Sequence, residues 1–278
     1  MVNEGPRSSP AVLRVRGLSK RYTRGPLWQK RASFVAVNEV ELEIGLGETL
    51  ALVGSSGSGK STVARCIAQL ETLDSGQVWI DDRELTQLSA RELLPFRSMV
   101  QMIFQDAATA MNPRFSAAEV IQEPLRIQGR SRSEQQEIAE ALMKEVALSP
   151  DCLKRSVLEF SGGQKQRLAI ARALAVRPRL LILDEALSGL DLSIRAQIAN
   201  LLLDLQEAHS LAYLLISHDL AVVAGLADRI AVMSQGRIVE TGSVSTVLRE
   251  PRHDETKKLV AATREAESKL AISAGASA

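Results

Sequence analysis

The chain has 278 residues, of which 45% are hydrophobic and 24% charged. That is enough apolar material for a substantial buried core, and it excludes a largely disordered chain and a collagen-like repeat. The net charge of +1 excludes a globally basic nucleic-acid binder. Cys66 and Cys152 lie far apart without partners at metal-ligand spacing, which argues against a zinc site or a disulfide scaffold and for a reducing compartment.

Charge is unevenly placed. Residues 1–31 hold eight Lys/Arg against Glu4 alone, which fits a solvated basic face better than a docking surface for anionic lipid or a partner. Residues 1–10 are polar and lack an apolar core segment, so no secretory signal is expected there. No run reaches the ~18 uninterrupted apolar residues that span a bilayer. The longest candidate, residues 211–233, is interrupted by His218, Asp219, Asp228 and Arg229.

In chain order, residues 1–11 read as a flexible tail, and strand-like runs follow at 12–15, 40–44 and 49–53. Residues 24–36, with Gly25-Pro26 and several basic side chains, read as a long loop. A helical pattern starts near Lys60, with Val63, Ile67 and Leu70 on one face. Residues 77–80 form a further short strand. Ser133 and Gln136 have capping-box spacing ahead of the stripe Ile138, Ala141, Leu142, Val146, and Ser161 begins a helix that Pro178 stops. Apolar runs at 180–183 and 213–216 precede a pair at 230–233 and 238–240, joined by the tight turn Ser234-Gln235-Gly236. Strands alternating with helices predict an α/β fold with a parallel core. The Ala/Ser-rich residues 271–278 are expected to be disordered, and no internal repeat is evident.

Three segments carry chemistry. Gly54-Ser55-Ser56-Gly57-Ser58-Gly59-Lys60-Ser61 fits G-x-x-x-x-G-K-[ST] between a strand and a helix. Glycines let successive N–H groups turn inward, and with the helix N-terminus, including Thr62, they form an anion cradle. Lys60 is expected to reach the β- and γ-phosphates and Ser61 to hold Mg²⁺ through its hydroxyl. The run 180–183 then delivers Asp184 and Glu185 at a strand's carboxyl end, where ligands bind in such sheets. Asp184 is placed to support Mg²⁺, and Glu185 to orient or deprotonate a water. Finally, Phe160-Ser161-Gly162-Gly163-Gln164 fits a plain capping box. Two glycines in a first turn, however, cost roughly 1 kcal/mol each relative to alanine. Close approach of a phosphate to bare backbone explains both.

Ser161-Gly162-Gly163-Gln164, 23 residues before Asp184, together with the P-loop, resembles the ATP-binding cassette (ABC) family over about residues 12–250. The resemblance implies a P-loop NTPase (RecA-like) parallel sheet, an antiparallel β subdomain and an inserted α-helical subdomain over about 106–165, with 251–278 a short extension. It implies ATP and Mg²⁺ as ligands, and a head-to-tail dimer in which each ATP lies between one P-loop and the other subunit's Ser161-Gly162-Gly163-Gln164. Gln105 looks like the glutamine that senses Mg²⁺ and the transport partner. Ser188-Gly189-Leu190-Asp191 looks like the D-loop, His218 like the switch histidine contacting the γ-phosphate, and Tyr22 like the aromatic that stacks on adenine.

The motifs Met111-Asn112-Pro113-Arg114, Glu123-Pro124-Leu125 and Asp191-Leu192-Ser193-Ile194-Arg195-Ala196-Gln197 are similar to those of peptide and nickel importer cassettes. Ala107-Ala108 and residues 251–255 depart from that pattern, so the cargo, peptide or nickel or another metal chelate, stays open. The implied partners are two permease subunits, a second cassette (identical or homologous) and an extracytoplasmic substrate-binding protein. The implied place is the cytoplasmic face of a bacterial inner membrane. A soluble ABC ATPase acting on DNA or ribosomes is the competing class. Only 99 residues separate Ser61 from Ser161, which leaves no room for a long coiled coil, and no nucleic-acid partner is expected.

Overall fold

The computed structural model describes residues 11–24, 32–106 and 109–275. Residues 1–10, the basic stretch 25–31, Ala107-Ala108 and the last three residues lie outside it. In chain order the elements are β1 (Ala11–Arg24), β2 (Ala32–Gly45), β3 (Thr49–Val53), α1 (Lys60–Ile67), β4 (Ser75–Ile80), β5 (Arg83–Glu84), α2 (Ala90–Leu93), β6 (Val100–Ile103), α3 (Ala117–Ile127), α4 (Arg132–Glu145) and α5 (Gly162–Leu174). There follow β7 (Leu180–Asp184), α6 (Leu192–His209), β8 (Ala212–Ile216), α7 (Leu220–Leu226), β9 (Arg229–Ser234), β10 (Arg237–Ser243), α8 (Val244–Arg249) and α9 (Asp254–Gly275).

Two sheets form. One is antiparallel, in the order β2-β1-β4-β5; the other runs β10-β9-β3-β8-β7-β6. In the second, β9, β3, β8, β7 and β6 are parallel, and β10 returns antiparallel on β9. Every residue of β3, β7 and β8 is buried, so these strands read as continuous apolar runs rather than alternating ones. The alternation survives in what each residue touches. Leu50, Leu52, Leu180, Ile182, Leu214 and Ile216 join one core with α1 and the antiparallel sheet. Ala51, Val53, Leu181, Leu183, Tyr213 and Leu215 join the other, with α3 to α7. Helices α3 and α4 pack on each other and on α5.

The parallel strands place their carboxyl ends along one edge. Gly54 follows β3, Glu185 follows β7, Ser217-His218 follow β8 and Phe104-Gln105 follow β6. The turn between β9 and β10 has both central residues, Gln235 and Gly236, in the left-handed region (φ 46° and 81°), the geometry of a two-residue hairpin that matches strand twist. Among the described residues no helix is long and apolar enough to cross a membrane.

Several sequence expectations are corrected. β1 and β2 extend well beyond 12–15 and 40–44, and residues 32–36 belong to β2 rather than to a loop. Their pairing carries repeated register shifts, which break the period-2 pattern a strand is recognised by. Helix α1 stops at Ile67, Gln69 turns left-handed and Leu70 is 58% exposed, so Leu70 is not on the buried face. Strand β6 has only four residues, too few to show a strand pattern in sequence. Ala271 to Gly275 continue α9, consistent with alanine's high helix propensity.

Helix α4 is capped by Ser131, not Ser133: the Ser131 hydroxyl accepts from the Glu134 N–H, and the Glu134 carboxylate accepts from the Ser131 N–H. Two overlapping boxes were available. The earlier one puts a charged carboxylate at the helix N-terminus, where the dipole favours it. Ser131→Ala should therefore lower unfolding stability by about 1 kcal/mol, and Ser133→Ala by less than about 0.5 kcal/mol, in urea melts.

Candidate functional site

Gly54 leaves β3 with φ 152°, and a Cβ there would lie 2.1 Å from the Met233 carbonyl oxygen on β9. Gly59 is the N-cap of α1 at φ 108°, and its Cβ would lie 2.3 Å from the Ala36 carbonyl oxygen on β2. The loop is thus clamped between two strands at positions only glycine fits. Gly59 offers no capping side chain, so the first-turn N–H groups of α1, at Lys60, Ser61 and Thr62, have no intrahelical acceptor and face outward as anion donors. Ser55, Ser56 and Gly57 form the exposed tip. Ser58 is buried and closes the turn, its N–H donating to the Ser55 carbonyl at 3.2 Å.

Lys60 is only 7% exposed. Its Nζ donates to the carbonyls of Gly54 (2.8 Å) and Ser55 (2.9 Å) and lies 3.4 Å from Ser58 Oγ. Burial pulls its pKa below the ordinary lysine value, while Glu185 and Asp184 push the other way. Ser61 Oγ donates to Asp184 Oδ1 at 3.1 Å, joining two elements 123 residues apart. Asp184 is buried, and burial raises its carboxyl pKa against the opposing Ser61 hydroxyl.

Glu185 is a non-glycine residue at φ 51°, a conformation worth about 1–3 kcal/mol of strain. Three hydrogen bonds hold it: its N–H donates to the Ile216 carbonyl (3.0 Å), and its carbonyl accepts from the Ser188 N–H (2.9 Å) and Oγ (2.7 Å). Its carboxylate Oε2 lies 3.6 Å from His218 Nδ1, longer than a direct hydrogen bond. His218 is exposed. Gln105 is exposed just past the end of β6, whose Ile103 is paired with Leu183. It therefore stands at the same edge as Asp184.

Ser61 and Asp184 present two hard oxygen donors side by side, which fits Mg²⁺. Among the described residues no group of three or more His, Cys, Asp or Glu could hold a metal. A cation at Ser61 and Asp184 would take its remaining ligands from water and substrate phosphates, as Mg²⁺ commonly does.

The Ser161 segment departs from expectation in one respect. The capping box forms, with the Gln164 N–H on Ser161 Oγ (3.3 Å) and the Ser161 N–H on Gln164 Oε1 (3.0 Å). Gly162 faces open space, but a Cβ on Gly163 would lie 2.6 Å from Ile194 Cγ2 of α6. Packing within the chain therefore gives Gly163 a reason of its own to lack a side chain, whereas Gly162 has none from packing.

Tyr22 lies near the end of β1 against α1. Its hydroxyl donates to Glu71, and its ring stacks on Phe34 of β2 at 5.5 Å and 28°. Burial and the Glu71 carboxylate raise the hydroxyl's pKa, and the Thr62 hydroxyl offsets part of this. Sequence reasoning missed Phe34, because it falls where a loop was expected. It also gave no role to Arg195 or Asp219; the capping pattern of Asp219 ahead of α7 was the available signal for the latter. The clamp on the loop is testable. Gly54→Ala should destabilise by at least about 2 kcal/mol through overlap with Met233. Gly57→Ala, with open space around its Cβ, should cost only the left-handed strain, about 1 kcal/mol, in the same melts.

Comparison with known proteins agrees with this geometry. Residues 37–188 match the model of the ABC transporter family. The chain is 44% identical over 257 residues to the "probable peptide ABC transporter ATP-binding protein y4tS" of Sinorhizobium fredii, covering 91% of this chain and 73% of that protein. It is 45% identical over 254 residues to the glutathione import ATP-binding protein GsiA of Salmonella typhimurium, covering 90% of this chain but 41% of that longer protein. Among solved structures, a dimeric ATP-binding cassette in a post-hydrolysis state bound to ADP and Pi superposes with a TM-score of 0.73 at 28% identity, covering 84% of this chain and 98% of that one. A P-loop clamped between β9 and β2, acids at the end of β7 and these likenesses lead to one conclusion: the chain belongs to the ABC transporter family, as an ATP-binding and ATP-hydrolysing cassette.

Proposed function

We propose that this cassette is the energy-coupling subunit of a bacterial importer of peptides. In that role it is held at the cytoplasmic face of the inner membrane by two permease subunits and supplied by an extracytoplasmic substrate-binding protein. The observation that carries the reading is the convergence of Lys60, Ser61, Asp184, Glu185 and His218 on one sheet edge, in a chain 44% identical to a peptide transporter's ATP-binding protein. Glutathione is itself a small peptide, so the second relative supports the same cargo class.

In this reading the N–H groups around Gly57–Thr62 and the Lys60 ammonium bind the β- and γ-phosphates of ATP. Ser61, Asp184 and Gln105 hold Mg²⁺, which would supply charge neutralisation at the phosphate oxygens. Tyr22 takes the adenine. A second cassette, identical or homologous, brings its own Ser161-Gly162-Gly163-Gln164 turn onto the γ-phosphate. The dimeric architecture of the solved cassette supports that arrangement.

Phosphoryl transfer leaves little covalent work to a protein, so the residues act by position and charge. Glu185 accepts a proton from water as the water oxygen bonds to the γ-phosphorus. The bond from that phosphorus to the β–γ bridging oxygen breaks, leaving ADP and phosphate. His218, whose Nδ1 lies 3.6 Å from the Glu185 carboxylate, contacts the γ-phosphate and with Glu185 holds the water in line. The dimer binds ATP more tightly closed than open, and that difference in affinity is what can move attached permeases.

Glu185→Gln in the assembled transporter tests the assignment of the base. Turnover should fall by at least about a hundredfold, while ATP stays bound to the transporter through size exclusion. Hydrolysis at the wild-type rate would remove Glu185 from the mechanism.

A further inference from the structure

Arg195 sits in the first turn of α6, one residue after the Ile194 that packs on Gly163. A cation there opposes the helix dipole, so it is not placed to stabilise its own helix. Its guanidinium instead reaches two loops. Nη2 donates to the Leu190 carbonyl at 3.2 Å, and Nη1 pairs with Asp219 Oδ2. Its Nε is buried and makes no hydrogen bond among the described residues. The polar contacts of this guanidinium are thus made to groups outside its own helix.

Both loops belong to the hydrolytic edge. Leu190 lies in the segment that begins at Glu185 and is anchored by Ser188 on the Glu185 carbonyl. Asp219 immediately follows His218, and its other oxygen, Oδ1, accepts from the N–H groups of Ala221 and Val222 to start α7. One guanidinium therefore spans the segment carrying Glu185 and the segment carrying His218. Glu185, Ser188, Gly189, Arg195, His218 and Asp219 line one small cleft.

We propose that Arg195 is a positioning residue for hydrolysis: through the Leu190 carbonyl and Asp219 it sets the separation of Glu185 and His218. It acts through these two loops and not on the nucleotide or the attacking water. The proposal rests on the reading of Glu185 and His218 given above. A strut of this kind acts on the chemical step, because misplacing reacting groups by about 1 Å can cost on the order of a hundredfold in rate. It should leave ground-state ATP affinity alone, since none of the P-loop contacts involves it.

The test uses the assembled transporter with Arg195→Ala, Arg195→Lys, Asp219→Asn and the Arg195→Ala/Asp219→Asn double variant. Asp219→Asn keeps the Oδ1 cap of α7 and removes the charge. Arg195→Ala should lower kcat at least about tenfold with KM for ATP and nucleotide affinity changed less than about twofold. Arg195→Lys, which can reach one loop but not both, should recover part of the rate. The double variant should be no slower than the slower single variant, as expected of one pair. Wild-type kcat in Arg195→Ala, or equal losses in kcat and ATP affinity, would overturn the proposal. Should Arg195→Ala fold poorly, the kcat-against-KM split in Asp219→Asn decides in the same way. A wild-type rate in Glu185→Gln would count against the base, whereas a normal Arg195→Ala beside a dead Glu185→Gln counts against the strut alone.

Discussion

A buried ammonium must find acceptors or lose its proton, and that requirement at Lys60 governs the site. The carbonyls of Gly54 and Ser55 meet it at 2.8 and 2.9 Å. They can face inward only because the chain bends through Gly54 with no Cβ to strike Met233. Met233 in turn stands there because β9 pairs with β3. The same bend that turns carbonyls toward the lysine leaves the first-turn N–H groups of the next helix without intrahelical acceptors, so one backbone path satisfies a cation and leaves donors for an anion.

The parallel sheet carries the arrangement sideways. With β8 between β3 and β7, Ser61 and Asp184 meet although 123 residues separate them. The strained Glu185 is fastened to the end of β8 through the Ile216 carbonyl, which brings its backbone to the strand that His218 follows. Burial of both faces of this sheet by two apolar clusters makes the edge rigid.

Much of this was legible in sequence for a physical reason. Strands buried on both faces must be continuous apolar runs, and β3, β7 and β8 are such runs, each leading into residues proposed to act on ATP. Motifs with fixed backbone demands were equally plain. What stayed hidden depends on distant contacts. The bulged pairing of β1 with β2 erases the alternation that would reveal either strand and, with it, Phe34. A second reason for Gly163 to lack a side chain stayed hidden, because Ile194, which crowds it, comes from another helix 31 positions on. Arg195 sat inside a motif, yet its role exists only where α6 meets two loops. Between two overlapping capping boxes, sequence spacing alone could not choose.

On the proposed function, a triphosphate lies between the P-loop of one cassette and the Ser161-Gly162-Gly163-Gln164 turn of another. Vanadate-dependent photocleavage of the purified transporter addresses it directly, because a trapped phosphate analogue cuts the backbone it touches. In the presence of MgATP and vanadate this chain should be cut within residues 54–61 and also within residues 161–164, whether its partner cassette is identical or homologous. Cleavage confined to residues 54–61, with 161–164 of both cassettes intact, would contradict the claim.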